Sequence, residues 1–235
     1  MGEGLVKRYG EGVAAVDALR GVSVSFETGS FASIMGPSGS GKSTLLHILA
    51  GLEKPTEGWV EIGGTRLEGM SDHDLTLLRR RSVGFIFQSY NLLPVLTAEE
   101  NILLPLSIAG RDPDRGWLEV LLSSMRIGHR RSHRPGEMSG GEQQRVAVAR
   151  ALITRPTVVF ADEPTGNLDS VAGREILALL RHAVDDLGQT IVMVTHDPAA
   201  AAGADRTLFL ADGQVRDDAA GLDRDQILDR IKSLR

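Results

Sequence analysis

The run Gly36-Pro37-Ser38-Gly39-Ser40-Gly41-Lys42-Ser43 limits the possible folds more than any other stretch of the chain. It fits the pattern G-x-x-x-x-G-K-[ST] and lies between an apolar run, Phe31 to Met35, and a helix-like run, Lys42 to Ala50. Strand, glycine loop and helix form the context the pattern needs. Glycines let the backbone close around a phosphate, and successive N–H groups form an anion nest at the helix N-terminus. Lys42 is then placed for β- and γ-phosphates and Ser43 for Mg²⁺.

The rest of the pattern is that of an α/β chain. Val22, Val24 and Phe26 alternate with Ser23 and Ser25, and Thr28-Gly29 supplies a turn. Leu45, Leu46, Ile48 and Leu49 give the helix its apolar side, and Gly51 can end it. Trp59 to Ile62 predicts a short strand before Gly63-Gly64, Leu75 to Arg81 a helix, and Val83 to Phe87 a buried strand. Between Ser89 and Arg150 the spacing is helical, broken by Pro94, Pro105, Gly110 to Pro113, and Pro135-Gly136. Thr157 to Ala161 is a continuous apolar strand of the parallel-sheet kind. A helix is expected over Val171 to Leu187, a buried strand over Thr190 to Thr195, and a charged helix over Asp223 to Arg235. Thr207 to Leu210 and Gln214-Val215 flank Asp212-Gly213, a hairpin signal. Phe26, Phe85, Phe87 and Phe160 are expected in the core.

The length, 235 residues, suits one large domain or a domain with a subdomain. A net charge of −5 provides no global field for nucleic acid, and Arg79-Arg80-Arg81 and Arg130-Arg131 are read as solvated faces. Without cysteine there is no thiol nucleophile, disulfide or Cys-bound zinc. Met1 to Leu5 lacks a signal-peptide pattern, and no apolar run approaches the ~20 residues of a membrane helix. A membrane role is therefore expected to come through a partner.

Four further features carry chemistry. Val158 to Ala161 ends in Asp162-Glu163, where an Asp can help hold Mg²⁺ and a Glu can reach a water in line with a γ-phosphate. Gln88 and His196 each follow a predicted buried strand, at the sheet edge where ligands gather. Met138-Ser139-Gly140-Gly141-Glu142 opens a helix. Ser139 and Glu142 fit a capping box, so the stretch is either a capped surface helix or an anion site. Tyr9 could stack on an adenine face or serve as a packing residue.

Together these residues resemble an ATP-binding cassette (ABC) ATPase over essentially the whole chain. Gly36 to Ser43 is similar to the Walker A loop, Gln88 to the Q-loop, Met138 to Glu142 to the signature, and Val158 to Glu163 to Walker B. Asn167-Leu168-Asp169 resembles the D-loop, His196 the switch histidine and Tyr9 the A-loop aromatic. Met138 replaces the usual Leu and Glu142 the usual Gln. Phe87 to Pro94, Leu96 to Asn101 and Pro164 to Asp169 are similar to the branch of macrolide exporters and lipoprotein-release ATPases.

The resemblance implies a P-loop NTPase (RecA-like) core with an N-terminal antiparallel β subdomain and an inserted α-helical subdomain. Residues 1–88 and 151–235 would form the core with the β subdomain, and about 89–150 the helical subdomain. It implies Glu163, His196 and Gln88 as catalytic residues, and Ser43, Gln88 and Asp162 at Mg²⁺. ATP would contact Tyr9, Gly36, Pro37, Ser38, Gly39, Ser40, Gly41, Lys42, Ser43, Thr44, Ser139, Gly140, Gly141, Glu142 and Asp169. The implied partners are a second copy of the chain and a separate FtsX-like membrane permease, with no nucleic acid. The implied location is the cytoplasmic face of the cell membrane. Export, lipoprotein release or mechanotransmission would be the task. The alternatives are a cell-division signalling ATPase with an FtsX-like partner and a soluble DNA-associated ABC ATPase.

Overall fold

The computed structural model describes residues 1–12 and 15–234. Its strands are β1 (Gly2–Tyr9), β2 (Val16–Val24), β3 (Phe31–Met35), β4 (Glu57–Ile62), β5 (Thr65–Arg66), β6 (Val83–Phe87), β7 (Val158–Asp162), β8 (Ile191–Val194), β9 (Arg206–Ala211) and β10 (Gln214–Ala220). Its helices are α1 (Lys42–Leu49), α2 (Asp72–Ser82), α3 (Ala98–Ile108), α4 (Arg115–Ser124), α5 (Gly140–Leu152), α6 (Ser170–Asp185), α7 (Pro198–Ala201) and α8 (Arg224–Ser233).

The strands form two sheets. An antiparallel sheet runs β2-β1-β4-β5, and a larger one runs β10-β9-β3-β8-β7-β6. In the larger sheet β9, β3, β8, β7 and β6 are mutually parallel, and β10 closes the edge antiparallel to β9. Strands buried on both faces read as apolar runs: β8 does so throughout, β7 up to Asp162, and β3 apart from Ser33, whose buried hydroxyl is paired with that of Thr207 at 2.8 Å. Val158, Phe160, Val192 and Val194 point to the layer of α1, together with Leu5, Leu19 and Val22 of the small sheet. Val159, Ala161, Ile191 and Met193 point to the opposite layer, shared with residues of α3, α4, α5 and α6. Helix α1, with Leu45, Leu46, Ile48 and Leu49 buried, is thus clamped between the two sheets.

Several elements differ from their sequence expectation. Residues Gly2–Tyr9, for which no strand is expected from the sequence pattern, form a strand that ends at Tyr9. Its pairing with β2 shifts register three times, so bulges hide the alternation that would have disclosed it. The next strand spans Val16–Val24 and leaves Phe26 beyond its end, partly buried against the core. Phe85 and Phe87 are likewise only partly buried, while Phe160 is buried. The hairpin turn at Asp212-Gly213 has positive φ at both residues, as its sequence predicts. Strand β10 runs on to Ala220 despite Asp217 and Asp218, a charged edge that discourages pairing with another sheet. The last helix is capped by Asp223, and Arg235, which the expectation included, lies outside the described residues.

From residue 89 to 150 the described elements are helices and two 3-10 turns, Gly128–Arg130 and Pro135–Glu137. Arg80 and Arg81 are exposed, as expected of a solvated face, whereas Arg130 and Arg131 are half-buried and paired. Arg131 pairs with Glu99 and Glu119, and Arg130 pairs with Glu142. Earlier in the chain, Arg79 donates to the Gly51 carbonyl at 2.6 Å. The loop entering α3 is organised by Asn101, which is fully buried. Its Oδ1 accepts the Leu93 N–H, and its Nδ2 lies within 3.2 Å of the carbonyls of Leu93, Leu96 and Thr97. An apolar side chain here strands a buried donor and several acceptors. Asn101→Leu is expected to lower stability by about 2–3 kcal/mol in urea titration. A change below about 0.5 kcal/mol, the range of ordinary surface substitutions, would show that the loop does not need this hub.

Candidate nucleotide-binding site

Strand order and register create the site. In the sequence β3-β8-β7-β6, Ile34 pairs with Val194, Asp162 with Val194 and Phe87 with Asp162. Four neighbouring strands therefore end at one level. Gly36, His196, Glu163 and Gln88 lie just past those ends, so all four predicted strand-end positions meet at one edge of the sheet. This is the edge at which open parallel sheets bind ligands.

The glycine loop needs its glycines. Gly41 caps α1 at φ 99°, and a Cβ there would lie 2.4 Å from the Ala18 carbonyl oxygen. A Cβ on Gly36 would lie 2.0 Å from the Leu210 carbonyl oxygen. The loop is thus pinned beneath β2 and beside β9 where it enters α1. Lys42 Nζ donates to the carbonyls of Gly36 and Pro37, both at 2.9 Å, which holds the ammonium over the loop. Burial lowers its pKa, against the pull of Glu163 and Asp162. Ser40 is buried, and its Oγ has no hydrogen-bond partner among the described residues.

Asp162 ends β7 on the side of Ser43, whose hydroxyl favours its ionised form. Burial pushes its carboxyl above the usual range, against His47 and Lys42. A hard divalent cation suits such a pair of oxygens, since Mg²⁺ takes one or two protein ligands and fills the rest with phosphate and water. Glu163 follows with φ 48°, a left-handed backbone that a non-glycine residue rarely adopts. Its N–H donates to the Val194 carbonyl at 3.0 Å, and its carbonyl accepts the Gly166 N–H at 3.0 Å, so the turn is fixed from both sides. His196 Nδ1 lies 2.8 Å from Glu163 Oε1, with the imidazole 71% and the carboxylate 18% exposed. A carboxylate held by an outward-facing imidazole can accept a proton from a water at the sheet edge.

Gln88 donates through Nε2 to Asn167 Oδ1 at 3.2 Å, and Asn167 Nδ2 donates back to the Gln88 carbonyl at 3.1 Å. Its amide is therefore joined to the 167–169 turn. Tyr9 is 40% exposed and tethered through its hydroxyl, which donates to Glu53 Oε2 at 2.7 Å. Lys7 Nζ sits 5.1 Å from its ring centroid, and Thr44 lies beside its hydroxyl.

The stretch from Ser139 to Glu142 lies elsewhere. Ser139 caps α5 and accepts the Glu142 N–H at 3.3 Å, while Glu142 Oε2 accepts the Ser139 N–H at 2.8 Å, the expected capping box. These residues line an open depression with Asn167, Leu168 and Asp169, and none of residues 36–44 lines it. Asp169 caps α6, accepting the N–H groups of Val171 and Ala172, which lower its pKa.

Two residues outside the predicted set tie the regions together. Gln144, fully buried on α5, donates to the Pro164 carbonyl at 2.6 Å and reaches toward that of Phe87 at 3.5 Å. Arg150, also on α5, donates to the Tyr90 and Asn91 carbonyls at 2.7 and 2.5 Å. Gln144 had a sequence signal, because it precedes the apolar positions Ala147, Val148 and Ala151 at helical spacing and so breaks a buried stripe. Arg150 had none, since its partners lie 59 and 60 residues away.

Residues 19–166 match the family model described as "ABC transporter". The chain is 44% identical over 216 residues to the macrolide export ATP-binding/permease protein MacB of Bdellovibrio bacteriovorus, covering 92% of this chain and 33% of that protein. It therefore spans about a third of the MacB relative's length. It is 45% identical over 213 residues to the lipoprotein-releasing system ATP-binding protein LolD of Geobacter metallireducens, covering 90% of this chain and 95% of LolD. Among solved structures, it is similar to a dimeric, post-hydrolysis ATP-binding cassette, MJ0796, bound to ADP and Pi. There the TM-score is 0.84 and the identity 40%, over 94% of this chain and 98% of that one.

The backbone at Glu163 makes one prediction independent of catalysis. Glu163→Gly removes the cost of a left-handed non-glycine residue and a carboxylate that raises the Asp162 pKa. The thermal midpoint is expected to rise by an amount worth about 0.5–1 kcal/mol. An unchanged or lower midpoint would mean that the turn stores no strain.

Proposed function

The chain belongs to the ABC transporter family as an ATP-hydrolysing cassette of the MacB and LolD type, and we propose that two copies close head to tail around two ATP molecules. The observation that carries this reading is the separation of two half-sites. The loop over residues 36–44 offers one set of phosphate-directed amides, and the N-terminus of α5 offers another in a depression that the loop does not reach. Neither encloses a nucleotide alone; a second copy supplies the missing half of each. The relative of similar fold solved with ADP and Pi is itself a dimer.

In this reading the loop amides from Gly36 to Thr44 and the Lys42 ammonium bind the β- and γ-phosphates. Ser43 and Asp162, with Gln88, would hold Mg²⁺, which would neutralise phosphate charge. Glu163 accepts the proton of the attacking water, and His196 holds that carboxylate and faces the γ-phosphate. Tyr9 offers its ring to the adenine. Ser139, Gly140 and Gly141 receive the γ-phosphate bound to the other copy, and Asp169 lies beside that contact. Hydrolysis cleaves the γ-phosphate from ADP as inorganic phosphate, and its departure takes charge from the bridge and releases the pair. Among the described residues no helix is long and apolar enough to cross a membrane. We assign the spanning role to an FtsX-like permease, gripped by the 89–150 region at the inner face of the membrane. Export, lipoprotein release or mechanotransmission is the work performed.

Glu163→Gln keeps the shape of the side chain and removes the base. It is expected to bind ATP, cut turnover at least ~10²-fold and accumulate as a dimer in size-exclusion chromatography with ATP. Turnover at the parental rate would remove Glu163 from the mechanism. Tyr9 separates into ring and hydroxyl. Tyr9→Phe should retain affinity for a fluorescent ATP analogue, and Tyr9→Ala should weaken it by roughly tenfold, the worth of one aromatic stack. Equal affinities for both variants would place adenine elsewhere.

A further inference from the structure

A carboxylate at the mouth of an anion site is a physical contradiction. Glu142 stands at the third position of α5, where the helix N-terminus attracts negative charge, yet its own charge competes with any phosphate placed there. Its surroundings resolve the conflict. Both carboxylate oxygens are committed: Oε2 to the Ser139 N–H at 2.8 Å and Oε1 to Arg130 Nε at 2.7 Å. The Ser139 N–H, then Arg130, hold its pKa down to about 2, so it stays ionised at neutral pH. His129 Nε2 lies 3.6 Å from the same oxygen.

The whole depression is balanced in the same way. Three arginines, Arg126, Arg130 and Arg145, and three carboxylates, Glu142, Asp169 and Glu175, line it. Arg145 pairs with Glu175 at 2.8 Å, and Asp169 is spent on the amides of α6. Arg126 has no ion pair or side-chain hydrogen bond among the described residues, and its backbone is left-handed at φ 53°. Removing Arg130 tips this balance to net negative and frees Glu142 Oε1 to face the incoming anion.

We propose that Arg130 is a positioning residue that masks the Glu142 charge and locks its carboxylate into the helix cap, so that the amides of Ser139, Gly140 and Gly141 can receive the triphosphate of a second copy. This rests on the head-to-tail reading above. Arg130 sits in the short 3-10 turn Gly128–Arg130, outside the signature itself, and acts on ATP only through Glu142.

The test is a double-mutant cycle in the full chain carrying Glu163→Gln, with dimer fraction followed by analytical ultracentrifugation against ATP concentration. Arg130→Ala should raise the half-saturating ATP concentration by roughly tenfold, about one screened charge interaction near a protein surface. Arg130→Lys should recover part of the loss. Adding Glu142→Gln to Arg130→Ala should restore most of it, because glutamine keeps the capping acceptor without the charge. A loss that Glu142→Gln does not repair makes Arg130 a mere fold support and overturns the proposal. So does a parent that dimerises while Arg130→Ala needs no more ATP. A parent that stays monomeric at saturating ATP overturns the head-to-tail reading itself, and the masking role with it.

Discussion

The burial of α1 between the two sheets is the constraint on which the rest depends. Leu45, Leu46, Ile48 and Leu49 are removed from water by strands of both sheets, and at roughly 1.5–3 kcal/mol per buried side chain this is a large contribution from eight residues. It fixes where the helix starts. The chain must leave β3 at Met35 and enter α1 at Lys42 through a six-residue loop that passes beneath the Ala18 carbonyl. Only glycine at 36 and 41 permits that route, so the geometry that wraps a phosphate follows from how the helix is packed. An anion site assembled this way is preorganised, because its amides cannot relax without disturbing the core.

The large sheet does the same for the charged groups. Its central parallel strands are mostly apolar on both faces, so charged groups gather at the last position of β7 and just past the strand ends. Matched register brings these ends to one level, which sets Asp162, Glu163, His196 and Gln88 along a single edge. Two carboxylates in sequence beside a lysine would repel or collapse in a looser frame. Here the left-handed turn at Glu163 sends adjacent acids different ways, Asp162 toward Ser43 and Glu163 toward His196.

What the sequence disclosed and what it hid divide along the range of the interactions. The glycine loop, the apolar strand before Asp162, the capping box at Ser139 and the Asp212-Gly213 hairpin are set by neighbours a few residues apart, and each appears where the residues predict it. Strand β1 was hidden because three register shifts erase its alternation. The tether of Tyr9 to Glu53 spans 44 residues, and the Arg130–Glu142 pair joins a 3-10 turn to a helix 12 residues on. No periodicity encodes such pairs. Arg130 and Arg131 were read as solvated because charge alone carries no information about a partner; their carboxylates come from three different helices.

Helix α5 connects what the sheet edge and the depression keep apart. Its first turn carries Ser139 and Glu142, its buried side donates through Gln144 to the Pro164 carbonyl next to Glu163, and Arg150 holds the carbonyls of Tyr90 and Asn91, just past Gln88. A helix is stiff along its axis, and these three attachments are short. A displacement imposed at the N-terminus of α5 must therefore move, or be resisted by, the turn that shapes Glu163 and the segment that follows Gln88. Tyr90 and Asn91 are both held in left-handed conformations, so this segment has little slack in which to absorb such a movement. The depression at the N-terminus of α5 and the strand ends are in this way joined through one helix. The connection includes the buried Gln144, whose Oε1 has no partner among the described residues and so leaves one acceptor of this junction unused.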